Sequence, residues 1–136
     1  MGRGGSEYMN QVKASQFAIP QNPTPAQLEQ YLAICSNHIA RLSDMISGYK
    51  TDVSIKDTAY KRAVARAIVK YRGDGTPANI VSKVVEGDDE VIATKDALDA
   101  AEAIYTIAKG EFDGWDSHFV ALRKIAEIRK QEMRSN

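Results

Sequence analysis

Five basic side chains, Lys61, Arg62, Arg66, Lys70 and Arg72, fall within twelve residues that contain no acid, and Tyr60 and Tyr71 flank the run. The chemistry such a set offers is phosphate binding, with cations neutralising backbone charge and aromatic faces stacking on unpaired bases. Arg62, Arg66 and Lys70 are spaced four apart, which on a helix lines them along one ridge. Tyr71 is the stacking candidate within the run. The 136-residue chain has 18 basic and 18 acidic residues and no net charge. Nucleic-acid affinity would therefore belong to this local patch and not to bulk charge. The plain alternative is a solvated basic face near a helix C-terminus, where cations suit the helix dipole.

Other residues do not assemble into a reactive set. His38 and His118 fall on facing arms at different heights, outside any metal-ligand spacing, and are expected to be solvent-facing or interface side chains. Gly73-Asp74-Gly75-Thr76 lacks the Gly-Lys-Ser/Thr ending that cradles phosphate. Asp88, Asp89 and Glu90 cluster, but without further ligands at suitable spacing. Cys35, the single cysteine, occupies an apolar helical position, as a small buried thiol in a reducing compartment would. The expectation is a protein without catalytic residues, metal or cofactor. No apolar run approaches the ~20 residues of a membrane span, and the N-terminus lacks the apolar core of a signal peptide. A soluble cytoplasmic protein is expected.

The elements that position the basic run are helical. Thr24-Pro25-Ala26-Gln27 reads as a helix start, with Thr24 as cap, Pro25 in the first position and Gln27 completing a capping box. Leu28, Leu32, Cys35, Ile39, Leu42, Ile46, Tyr49 and Val53 then alternate by four and three, the seam of a coiled coil. Past Val53 the seam is expected to slip onto the smaller face of Ala59, Ala63, Val64, Ala67 and Ile68. Gly73-Asp74-Gly75 ends this helix, and Thr76-Pro77 is expected to start a short connecting helix reaching Val85. A return helix with an acidic first turn follows, its seam formed by Leu98, Ala101, Tyr105, Ala108, Phe112, Trp115, Phe119 and Leu122.

The expected architecture is all-α: a long antiparallel helical hairpin with a short connecting helix. Residues 1–23 form a flexible N-terminal arm, with Phe17-Ala18-Ile19 as a docking element. Residues 24–136 form the hairpin domain, divided into a first arm 24–72, a turn and short helix 73–87 and a return arm 88–134. Each arm would span about 70 Å at 1.5 Å per residue. Antiparallel folding sets Gly48 opposite Gly110 and Gly114, which suggests a pivot there. Phe112, Trp115, Phe119, Val120, Ile125 and Ile128 spread over more than one stripe of the return arm, and Phe112, Trp115, Phe119, Leu122, Ile125 and Ile128 are the assembly candidates. That width calls for a partner surface, met most economically by self-association into a homo-oligomeric ring.

The return arm also resembles a known family. From Asp88 to Arg129 it is similar, without a gap, to the C-terminal half of the UvsY-like recombination mediators of large tailed phages. The matching positions include Asp88, Val91, Leu98, Gly110, Asp113, Ser117, Ala121, Ile125 and Arg129. Upstream, Ala65-Arg66 looks like the core of the family's basic Lys-Ala-Arg-Leu motif, and Arg72-Gly73-Asp74-Gly75 like the loop after it. Val64 and Ala67 depart from that motif, standing where it has lysine and leucine. The resemblance implies a non-enzymatic accessory factor that forms rings, of roughly six or seven subunits, and binds single-stranded DNA. Such a factor helps a RecA-like recombinase load onto strands coated by single-strand-binding protein, and contacts both proteins. The alternative is a small helical interaction module, a phage inhibitor or adaptor, that does not bind DNA.

Overall fold

The computed structural model describes residues 12–135, and among these every regular element is helical. A single 3-10 turn, Ala14–Gln16, precedes α1 (Pro25–Gly73), α2 (Val81–Glu86) and α3 (Asp89–Ser135). The two long helices pack together, as the paired seams predict. α1 begins as expected: Gln27 N–H donates to Thr24 Oγ1 at 3.1 Å and Thr24 N–H donates to Gln27 Oε1 at 2.9 Å. This reciprocal pair satisfies helix-end donors that would otherwise lack partners. Both long helices continue through their glycines, Gly48 in α1 and Gly110 and Gly114 in α3.

The end of α1 differs from expectation in one respect. Asp74, Gly75 and Thr76 donate their N–H groups to the carbonyls of Lys70, Arg72 and Tyr71, and Gly75 adopts φ +89°. This closure, with a left-handed glycine, is the kind that satisfies the last carbonyls of a helix. Thr76 is thus used up in finishing α1 and does not cap α2. Pro77 opens a turn instead, accepting from Ile80 N–H at 3.1 Å, and α2 starts only at Val81.

Packing contacts divide the chain into two compact units. The first comprises residues up to Met45 together with those from Ala108 onward, and the second runs from Ile46 to Ile107. The boundaries lie close to Gly48 and Gly110. In the first unit α1 buries Leu28, Cys35 and Leu42, while α3 buries Ala108, Trp115 and Leu122. Each set recurs every seventh residue, so one heptad position per helix faces fully inward. The other seam position, Leu32 and Ile39 on α1 and Phe112 and Phe119 on α3, is half-buried.

Residues 12–23 add a third layer to the first unit. Ala14, Phe17 and Pro23 are buried, so the described part of the expected flexible arm is a docked segment. Residues 1–11 of that arm lie outside the described residues. Phe17 is the docking element that the sequence suggested.

The second unit centres on Ala63, Ala67, Val81, Val85 and Val91, with Tyr60, Val64 and Tyr71 packed against them. The small side chains of Ala63 and Ala67 leave room that the valines of α2 fill. The α1 seam does not slip after Val53. Val53, Lys56, Tyr60, Ala63 and Ala67 keep the same three-four alternation and are all buried or half-buried. Lys56 hides this continuity in the sequence, because its charged end reaches Asp52, 3.9 Å away, while its stem lies along the seam.

Candidate nucleic-acid interface

All five cations of the basic run sit on the last turns of α1, within the second unit, and all are exposed. They form two rows, not one. Arg62, Arg66 and Lys70 make the expected ridge. Lys61 and Arg72 lie eleven residues apart, about three turns, and so share a second row, about 100° around the helix from Arg62 and about 160° from Lys70.

The run that lacks acids in sequence acquires them in space. Lys61 pairs with Asp57 one turn earlier, at 2.8 Å, and this bond, more than the general attraction of the carboxylate, raises the lysine above its usual pKa. Arg66 pairs with Glu90 in the first turn of α3. Lys70 lies 3.9 Å from Asp88 and 5.2 Å from the centre of the Tyr71 ring. Arg62 and Arg72 have no ion-pair partner among the described residues.

Asp88 organises this corner. One of its carboxylate oxygens accepts from the N–H groups of Glu90 and Val91, at 3.0 and 3.2 Å, capping α3. The other accepts from the Tyr71 hydroxyl at 2.9 Å. The Tyr71 bond first, then the Val91 N–H, holds the Asp88 carboxyl below its usual range. The same bond raises the Tyr71 phenol. Tyr71 is half-buried and bonded at its hydroxyl. Tyr60 is also half-buried, with the Lys95 ammonium 5.5 Å from its ring centre.

Arg66, Lys70, Tyr71, Gly87, Asp88 and Glu90 line most of an open cleft of about 360 Å³. Its walls alternate in sign, so the cleft is no ready-made phosphate pocket. The Arg66–Glu90 pair that closes it is nevertheless weak, since both of its side chains are at least half exposed. Exposed pairs of this kind contribute about 0.2–1 kcal/mol each. A phosphate, which Arg binds through two parallel hydrogen bonds, competes at little cost.

The residues expected to form an oligomer interface separate by burial. Trp115 and Leu122 are 1% and 0% exposed within the chain itself. They are core residues of the first unit and present no surface to a second subunit. Their seam position turns them toward α1, and the width of the apolar stripe comes from other side chains. Phe112, Phe119 and Ile125 are half-buried, and Ile128 is 48% exposed.

The histidines also depart from expectation. His38 is 2% exposed and stacks on Trp115, with ring centres 3.8 Å apart and planes 4° from parallel. One guanidinium N–H of Arg41 donates to His38 Nδ1 at 2.8 Å. His118 approaches the same indole edge-on at 5.9 Å, so the two histidines meet at one level around Trp115. Phe17 completes the cluster, 5.2 Å from Trp115 and 5.4 Å from Tyr31. The only sequence signal for this arrangement is that Tyr31 and His38 flank the α1 seam seven residues apart. Among the described residues no three His, Cys, Asp or Glu side chains converge as metal ligands. No helix among them is long and apolar enough to cross a membrane.

Comparison with protein-family models, curated protein sequences and solved structures found no match to the chain.

Proposed function

We propose that the chain is a nucleic-acid-binding accessory factor of the UvsY-like kind, acting without catalysis or cofactor in the cytoplasm of an infected host. In this reading several copies bind single-stranded DNA along the exposed rows of α1. They thereby help a RecA-like recombinase displace single-strand-binding protein. The observation that carries the reading is the C-terminal end of α1, where Arg62 and Arg72 have no ion-pair partner among the described residues, Arg66 is held only by an exposed pair with Glu90, and Lys70 lies 3.9 Å from Asp88. A single such patch binds feebly, but copies joined in a ring present it many times to one strand. The resemblance of Asp88 to Arg129 supplies the family and its partners. Assembly draws on Phe112, Phe119, Ile125 and Ile128 without Trp115 and Leu122.

Anisotropy of a labelled oligonucleotide across a salt series tests the reading. Binding is expected at low salt, falling steeply as salt rises. Absence of binding at low salt overturns it and favours the interaction module that does not bind DNA, a reading to which the internal pairing of Lys61, Arg66 and Lys70 gives some support.

A further inference from the structure

The docked N-terminal segment shows that the first unit contains a seat for a short peptide. Glu111 and His118, seven residues apart on α3, grip both backbone groups of one residue. Ala14 N–H donates to Glu111 Oε2 at 3.0 Å, and Ala14 C=O accepts from His118 Nε2 at 2.7 Å. Between them Gly114 leaves the space into which the Ala14 side chain fits. A Cβ at Gly114 would lie 2.6 Å from the Ala14 Cβ, closer than real side chains come. Three residues on, Phe17 enters the aromatic cluster, 5.1 Å from His118. The seat thus selects a small residue followed after two positions by an aromatic one. Gly114 serves the seat and is not a free hinge.

We propose that this seat also receives the Ala14–Phe17 segment of a second copy of the chain, so that neighbouring subunits exchange arms. The identical segment makes identical contacts in either copy, so exchange keeps every contact of the seat, gives up only the partial burial of Ile19 and Pro20, and is decided by proximity. The connection permits it. Arg129 holds the carbonyl of Pro23 and Asn22 Oδ1 beside the start of α1, and among the described residues none of Ala18–Gln21 makes a hydrogen bond. The five Cα-to-Cα steps from Phe17 to Asn22 reach roughly 17 Å when extended. The receiving seat must therefore belong to an adjacent subunit whose first unit lies within that distance. The proposal rests on the reading that the chain self-associates.

Two full-length variants test the exchange by complementation. Gly114→Val closes the seat and leaves the arm intact; Phe17→Asp spoils the arm and leaves the seat open. His118→Ala is a second seat variant, should Gly114→Val lose its helical circular dichroism. Mixed at equal concentration, an arm variant and a seat variant are expected to form a mixed complex that neither forms alone. Sedimentation detects it, and a blue shift of Trp115 emission in the Phe17→Asp partner marks docking of the foreign Phe17. A mixture that sediments as the sum of its parts, with Trp115 emission unchanged, overturns the exchange. Sedimentation of the unaltered chain separates the two readings. An oligomeric wild type with an inert mixture sinks the exchange alone, whereas a monomeric wild type sinks self-association itself.

Discussion

At the scale of single residues, the chain's reactive-looking groups are mostly engaged in holding it together. Cys35 is 0% exposed, and burial pushes its thiol up to about 11. Almost none of it is thiolate near neutral pH, so an aromatic disulfide reagent is expected to label it only as fast as the first unit opens. Rapid labelling of folded protein would contradict that placement. Trp115 carries more of the first unit, through its stack on His38 and its edge contacts to Phe17 and His118. Trp115→Ala is expected to cost about 3–5 kcal/mol in denaturant unfolding, where an oligomer contact alone would leave the monomer's stability unchanged. Asp88 gives a pH signature. Its folded-state pKa is depressed, so its contribution to stability is present above the unfolded-state value near 4 and fades as pH falls through the folded one. Asp88→Asn should remove that part of the acid sensitivity, read as a flatter melting temperature profile on acidification.

At the scale of elements, the helices were readable because local chemistry and long-range packing agree. The Thr24–Gln27 box, the Gly73–Gly75 stop and the seven-residue recurrence of Leu28, Cys35 and Leu42 each point to one structure. What could not be read were residues whose character opposes their place. Lys56 is charged yet lies on the seam, and His38 is polar yet buried, because an aromatic stack and one hydrogen bond offset its desolvation. Asp88 and Glu90, which face Lys70 and Arg66, lie beyond α1, so no inspection of the run reveals them. The glycines divide on the same principle. A Cβ at Gly48 or Gly110 would touch nothing within 4 Å. Alanine at either is therefore expected to stabilise the helix by roughly 1 kcal/mol, seen as a higher unfolding midpoint. Gly114→Ala gains the same helix propensity but crowds Ala14. Its Trp115 emission should shift red as Phe17 leaves, while the midpoint rises less or falls.

At the scale of the whole molecule, zero net charge means that DNA affinity depends on how acids and bases are distributed, and Glu90 is the acid whose position matters most. It holds Arg66, the middle cation of the α1 ridge, and lines the cleft that a phosphate would enter. If α1 contacts the strand, Glu90 opposes it twice, by occupying Arg66 and by repelling phosphate. Glu90→Gln is then expected to tighten single-stranded DNA binding several-fold at low salt and to steepen its salt dependence, since one more cation displaces counterions. Arg66→Gln in the same chain should cancel the part of the gain that runs through that guanidinium and leave the part due to relieved repulsion. Arg62→Gln with Arg72→Gln should weaken binding directly, as neither has an ion-pair partner among the described residues. Anisotropy titrations of these variants at two salt concentrations decide the matter. Equal affinity of Glu90→Gln and the unaltered chain would move the strand away from this end of α1, and the basic run would then be a solvated helix terminus.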